Sequence, residues 1–75
     1  MKTEYFDSET GQLSGYTIDD KLFNASDVLV GEFNIENEIY DTFGSVSVVR
    51  FHDGLYTGPN RPPFALVKSA LEDNK

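Results

Sequence analysis

The segment GEFNIENEIYD, residues 31–41, alternates apolar and polar side chains and carries four acids among its polar residues. Alternation with a period of two is typical of a β-strand that buries one face. Extended back to Val28, the pattern predicts the clearest strand of the chain, over residues 28–35. The side chains expected on its buried face are those of Leu29, Phe33 and Ile35.

The opposite face of this strand carries the acids. If the chain stays extended, Glu32, Asn34, Glu36 and Glu38 recur about every 6.6–7 Å along one line. The chain has 13 acids and six bases, a net charge of −7, and residues 19–41 hold seven of the acids and one base, a net charge of −6. Two interpretations remain open. The acids are either a solvated face that keeps a small protein soluble or a surface that binds a partner.

Shorter patterns on either side of this segment predict further strands. Residues 3–7 and 12–18 form an opening β-hairpin, in which Gly11 closes the loop and Gly15 marks a bulge. Residues 19–27 are predicted to be a connection that Leu22 and Phe23 anchor to the core. Residues 45–52 are β-branched and aromatic and form a strand, which is either buried on both sides or bulged between Val48 and Val49. A two-residue turn at Asp53-Gly54 leads into a short strand at residues 55–57.

The C-terminal residues 64–75 come after two prolines and predict a helix of about ten residues, because Phe64, Val67 and Leu71 share one stripe at helical spacing. The expected fold class is therefore α+β, with a small antiparallel sheet of four to five strands built from β-hairpins. The C-terminal helix is expected to pack on one face of the sheet. We expect a single domain over residues 1–75 and detect no internal repeat.

The residues that carry most enzyme chemistry are scarce. His52 is the only histidine and there is no cysteine, so no cofactor and no metal centre is expected. His52 precedes Asp53, but neighbours on a strand point to opposite faces, which is poor geometry for a catalytic pair. The six glycines are scattered, without a phosphate-binding loop. We therefore expect a protein that is not an enzyme.

Composition also bears on the compartment and the partner. A small chain without cysteine favours a reducing setting, so we expect a cytoplasmic protein. It has no leading apolar run and no stretch long enough to span a membrane. An acidic chain repels nucleic acid and anionic membranes, so a basic protein partner is expected and direct binding of nucleic acid is not.

A small, cysteine-free, acidic chain of this kind is similar in composition to phage-encoded inhibitors and DNA mimics, which occlude basic, nucleic-acid-binding surfaces of host proteins. This resemblance implies an inhibitor that works by steric and electrostatic occlusion. The acids and two aromatic anchors expected to contact the partner are Asp19, Asp20, Asp27, Glu32, Glu36, Glu38, Tyr40, Asp41 and Phe43.

An alternative function is a structural or accessory module that docks through a sheet edge or an apolar face. In that case the acids serve solubility only. Nothing in the sequence obviously blocks an edge strand, so a homodimer through paired edges also stays open.

Overall fold

Eight short strands joined by tight loops make up most of the regular structure that the computed structural model describes. The structure describes residues 1–58 and 60–73. In chain order the elements are β1 (Lys2–Asp7), β2 (Leu13–Ile18), β3 (Lys21–Asn24), β4 (Leu29–Glu32), β5 (Glu38–Tyr40), β6 (Val46–Phe51), β7 (Gly54–Tyr56), β8 (Ala65–Leu66) and α1 (Lys68–Asp73).

The strands form one antiparallel sheet in the order β4-β3-β2-β1-β8-β7-β6-β5. Most strands pair with their neighbours along the chain, and β8 also pairs back onto β1 through Phe6 and Leu66. Within the described residues, β4 and β5 are the one consecutive pair without a ladder, and we call this gap the seam. The sheet curls into a nearly closed barrel, which brings its two end strands, β4 and β5, close together. A Cβ added to Gly31 of β4 would lie 2.8 Å from Cγ2 of Ile39 of β5.

Side chains from both halves of the sheet fill the interior, as expected for a barrel of eight strands. The buried cluster consists of Tyr5, Leu22, Phe33, Ile39, Val48, Leu55 and Ala65. Leu22 therefore anchors the core as predicted, although it does so from a strand and not from a connection.

The predicted α+β fold is wrong, because the described residues form eight strands and a short helix in place of four to five strands with a covering helix. Residues 21–24, expected to be a connection, form β3. Ala65 and Leu66, expected to be helical, form β8, because β1 and β7 offer them hydrogen-bonding edges on both sides. The described helix is six residues long, and the predicted helical residues Asn74 and Lys75 lie outside the described residues.

The predicted opening hairpin is confirmed as β1 and β2, with a register shift next to Gly15. The later strands are confirmed as β6 and β7, although the turn between them is His52-Asp53, one residue earlier than expected. The register of β6 shifts at Ser47, since Val46 pairs with Tyr40 and Val48 with Ile39. Val48 and Val49 are both buried, so this strand buries both of its faces there.

Three loops share one geometry that the sequence analysis did not anticipate. They begin at Asn24, Asn34 and Asp41, and each first residue accepts two backbone N–H bonds of 2.8–3.0 Å on its side-chain oxygen. The fourth residue of each loop has a positive φ, 65° at Asp27, 61° at Asn37 and 81° at Gly44. Short polar side chains and glycine tolerate that backbone region best. The alternation that predicted a strand through residue 35 therefore ends at Glu32, where Asn34 draws the chain into a loop.

The two halves of the sheet repeat each other, which corrects the expectation of no internal repeat. Residues 4–33 build most of β1–β4, and residues 38–67 build β5–β8. Glu4 pairs with Tyr16 in the first half, and Glu38 pairs with Val49 in the second. In both ladders the register shifts two residues after the glutamate, at Phe6 and at Tyr40. The same residue stands at the equivalent positions Glu4/Glu38, Asp7/Asp41, Gly11/Gly44, Ser14/Ser47, Asp20/Asp53 and Leu22/Leu55.

The repeat extends to the ends of both units. The N–H of Phe33 donates to the carbonyl of Asp20 at 2.7 Å, and the N–H of Val67 donates to that of Asp53 at 2.9 Å. Phe33 and Val67 are thus equivalent, and each unit ends one residue after its fourth strand. Two four-stranded units therefore make the barrel, and they differ in the segment that continues from each. The first unit continues into a four-residue loop, whereas the second continues into α1.

Candidate functional site

Strand β5 and its two flanking loops bring together most of the predicted contact residues. Ile39 points into the core, so its neighbours Glu38 and Tyr40 point outward. The loop before β5 carries Glu36, and the loop after it carries Asp41 and Phe43. We call this set the β5 surface, which consists of Ile35, Glu36, Glu38, Tyr40, Asp41 and Phe43.

Two apolar side chains stand in solvent at the tips of these loops. Ile35 is 98% exposed and Phe43 is 91% exposed, while Tyr40 between them is 51% exposed. Single exposed apolar side chains are common, but a group of them on one surface is a feature of protein interaction sites. Ile35 and Leu29 were both expected in the core, and both expectations are wrong, since Leu29 is 54% exposed. The position of Ile35 follows from Asn34, whose side chain accepts the N–H groups of Glu36 and Glu38 at 2.9 and 3.0 Å.

Side-chain hydrogen bonds hold the backbone of these two loops. Asp41 accepts the backbone N–H of Phe43 at 2.8 Å and that of Ser45 at 3.0 Å. The hydroxyl of Tyr40 donates to Glu38 at 3.2 Å, and this hydrogen bond raises the pKa of Tyr40, as does the negative charge of Glu38. The ring of Tyr40 therefore lies beside a carboxylate. Such preorganisation lowers the entropy lost on binding.

Asp19 and Asp20 lie next to the loop before β5, but each already has an internal partner. Asp20 forms an ion pair with Arg50 at 2.8 Å, and Asp19 lies 3.1 Å from the amino group of Met1. The same Arg50 nitrogen donates to Asn37 at 2.7 Å, so the β2–β3 turn and the loop before β5 are joined by one guanidinium. These two acids extend the negative surface, although their charges are partly balanced.

The structure separates the remaining acids from the β5 surface or leaves them at its margin. Asp27 belongs to the loop between β3 and β4, and it accepts the hydroxyl proton of Tyr16 at 2.6 Å, which raises the pKa of Tyr16. Glu32 ends β4 directly opposite Lys21. The predicted continuous row of carboxylates on one strand is therefore wrong, because its members are divided among β4, a loop and β5.

Arg50 is a structural residue that the sequence analysis did not single out. Its guanidinium donates to the carbonyl of Asp19 at 2.8 Å as well as to Asp20 and Asn37, and it stacks 4.4 Å above the ring of Phe33. One available signal was its position in β6 between Val49 and Phe51, since a charged residue inside an apolar strand needs partners.

His52 shows no catalytic partner among the described residues. It lines an open cleft of about 430 Å³ with Tyr5, Thr17 and Arg50. The carboxylate of Asp53 instead accepts the hydroxyl of Tyr56 at 3.1–3.2 Å. Across residues 1–58 and 60–73, no group of three or more His, Asp or Glu side chains is placed to hold a metal ion.

None of the helices in the described part of the chain has the length and apolar character needed to cross a membrane. No protein-family model matches the chain, and neither the curated proteins nor the solved structures give a match to it.

Proposed function

We propose that this chain is a non-enzymatic binding protein that docks its β5 surface onto a basic surface of a partner protein. The observation that carries the proposal is the near-complete exposure of Ile35 and Phe43 on loops held by side-chain hydrogen bonds. A few anchor residues, often aromatic, contribute most of the binding energy of protein interfaces, and surrounding charges set partner choice and association rate. The carboxylates of Glu36, Glu38 and Asp41 favour basic partners.

The charge of the chain indicates the class of partner. Six of the seven net negative charges fall within residues 19–41, and Glu36, Glu38 and Asp41 lie around the exposed apolar side chains. A basic groove that binds nucleic acid is the natural complement of such a surface, and occupying it would inhibit the partner. The cytoplasm is the compartment proposed for this activity, because a chain without cysteine suits a reducing setting.

The test uses two variants with equal changes in charge. One replaces Glu36 and Glu38 with Gln, and the control replaces Glu4 and Glu72, which are exposed acids outside the acidic segment. Proteins retained by the immobilised chain are identified by mass spectrometry, and their affinities are measured at low and high salt. We expect basic partners, competition by duplex DNA, and a loss of at least about tenfold in affinity in the first variant only.

Two results would contradict the proposal. Partners that are neutral or acidic would remove its electrostatic basis. An equal loss of binding in both variants would show that total charge, and not the β5 surface, determines the interaction.

The accessory module is the second candidate, and exposed apolar residues in and directly before β4, an end strand of the described sheet, favour it. Val28, Leu29 and Val30 are 57%, 54% and 51% exposed. Yet β4 and β5 are only four and three residues long, and the ladder of β4 shifts register at Val30. Short and irregular edges are features that discourage strand pairing. Leu29→Ser and Val30→Ser would weaken binding through these apolar side chains and would leave binding through the β5 surface intact.

A further inference from the structure

The internal repeat offers a comparison of two equivalent surfaces. Helix α1, which follows the second unit, packs against β1 of the first unit on the outside of the sheet. A Cβ added to Gly11 would lie 3.9 Å from Cδ2 of Leu71, which is ordinary van der Waals contact. Leu71 and Lys68 line a groove together with Phe6 and the loop that ends at Gly11. The face formed by β1 and its loop is therefore a helix-docking surface within this protein.

The equivalent face in the second unit has no such cover among the described residues. Tyr40 is equivalent to Phe6, yet Tyr40 is 51% exposed whereas Phe6 is partly buried. Gly44 is equivalent to Gly11, and a Cβ added to Gly44 would meet no described atom within 4 Å. Phe43 stands beside it with 91% of its surface in solvent. Thus the strand that receives a helix in one unit has an uncovered counterpart in the other, and the loop after it, residues 41–44, is one residue shorter than the loop of residues 7–11.

The charges of the two faces differ, and the difference indicates the kind of helix that the bare face would bind. Glu36 stands at the position equivalent to Lys2, while Glu4 and Glu38 are both acidic. Over residues 68–73, α1 carries one base and two acids, a net charge of −1. The helix of a second copy of this chain would therefore meet repulsion on the β5 surface. A helix of similar shape with basic flanks would not.

We propose that the β5 surface is a helix-docking site, which takes a short amphipathic and basic helix of the partner in the way that the β1 face takes α1. The apolar stripe of that helix covers Tyr40, Phe43 and Gly44, and its basic residues meet Glu36, Glu38 and Asp41. This inference rests on the proposed function, because it specifies how the same surface holds its partner. Amphipathic helices in apolar grooves are a common mode of peptide recognition.

The experiment uses the full chain, labelled with ¹⁵N, and three synthetic peptides of about 15 residues, a length at which helices begin to be stable. The first peptide repeats the spacing of Val67, Ala70 and Leu71 and carries lysine at its other positions. The second has the same charge with a central proline, which breaks the helix. The third repeats the spacing with the native acids of α1. Binding is measured by amide chemical shifts and titration.

We expect the basic helical peptide to bind at least about tenfold more tightly than the other two and to shift the amides of residues 40–44 more than those of residues 6–11. Tyr40→Ser should weaken this binding at least about fivefold, and the control Phe51→Ser, which changes another exposed aromatic residue, should not.

Equal binding of the helical and proline-containing peptides would overturn helix docking and leave the acidic binding surface in place. No binding of either basic peptide would overturn both proposals. Tightest binding of the acidic peptide, with dimers of the chain at high concentration, would show that α1 of a second copy is the occupant and would also overturn the inference.

Discussion

Arg50 and Asp20 form an ion pair of 2.8 Å between Nη2 and Oδ1 that joins the two halves of the barrel. Arg50 belongs to the second unit and Asp20 to the first. The same guanidinium reaches Asn37 in the loop between the units and the ring of Phe33 beneath it. The side chain of Arg50 is 19% exposed, whereas that of Asp20 is 62% exposed. The guanidinium therefore holds the β4–β5 connection next to the β2–β3 turn, and this fixes one end of the β5 surface.

Arg50→Lys should lower the free energy of unfolding by about 2–3 kcal/mol, because an ammonium cannot reproduce the planar set of bonds to Asp19, Asp20 and Asn37. Urea denaturation of the variant and the wild-type chain measures the difference. Arg61→Lys is the control, since Arg61 is exposed, and its effect should stay within about 0.5 kcal/mol. Equal stabilities of all three proteins would show that the guanidinium bonds do not contribute.

Gly54→Ala should be strongly destabilising, with a loss of about 2–3 kcal/mol. A Cβ at Gly54 would collide with the carbonyl oxygen of Ala65, because β7 and β8 run close together there. At Gly58 a Cβ would meet no described atom within 4 Å, and φ is not positive. Gly58→Ala is therefore the matched control, and its thermal midpoint should equal that of the wild type. If Gly54→Ala leaves the thermal midpoint unchanged, β8 does not pass as close to Gly54 as the structure indicates.

Asn34→Ala should lower the free energy of unfolding by about 1 kcal/mol, because it leaves the N–H groups of Glu36 and Glu38 without their side-chain acceptor. The exposed Ile35 would also lose its fixed position. Asn34→Asp keeps the acceptor and should retain most of the stability. Denaturation midpoints of the two variants distinguish loss of the hydrogen bonds from a change of side chain. Equal losses of stability in both variants would show that the Asn34 hydrogen bonds do not stabilise the fold.

Asp7→Asn tests the electrostatics of the first loop. Backbone N–H groups of Thr10 and Glu9 donate to Asp7 and lower its pKa below the usual value of 3.8. The folded state thus favours the carboxylate, and this stabilisation is present above the ordinary pKa and lost as pH falls through the lower, folded one. Between about pH 6 and about pH 2 the wild type should lose more stability than Asp7→Asn. If the stabilities of the wild type and of Asp7→Asn change equally with pH, the charge of the Asp7 carboxylate does not stabilise the fold.

Local sequence patterns predicted the strands with strong alternation. They failed where long-range strand pairing or a side-chain hydrogen bond determines the backbone conformation. Phe33 was correctly placed in the core, since it comes directly after β4 and its N–H continues the pairing with the β2–β3 hairpin. Ile35, two residues later, has the same phase and is almost fully exposed, because Asn34 has already closed a loop. The recurring signal was an Asn or Asp followed three residues later by Asp, Asn or Gly, at residues 24, 34 and 41.

The C-terminal segment shows the second kind of failure. Phe64, Val67 and Leu71 have helical spacing, and only Leu71 lies in the described helix. Ala65 and Leu66 are strand residues because β1 and β7 leave a gap that two extended residues fill. No local pattern encodes that gap. The site residues were predicted in part. Tyr40 and Phe43 were expected to be apolar anchors, whereas Ile35 was expected in the core, because the alternating pattern does not show that Asn34 closes a loop before β5.

A permuted chain tests the internal repeat itself. Phe33 is joined to Glu38 by residues 34–37, and Val67 and Glu4 occupy the equivalent positions in the other unit. A chain that runs from residue 34 to 67, continues through the inserted sequence Asn-Ile-Glu-Asn, and then runs from residue 4 to 33 should therefore form the same barrel. The native order ending at Val67 is the control, because both proteins lack α1. We expect the two free energies of unfolding to agree within about 1 kcal/mol, since surface loops are replaced at low cost. If the control folds and the permuted chain does not, the junction from Val67 to Glu4 is not equivalent to the junction from Phe33 to Glu38.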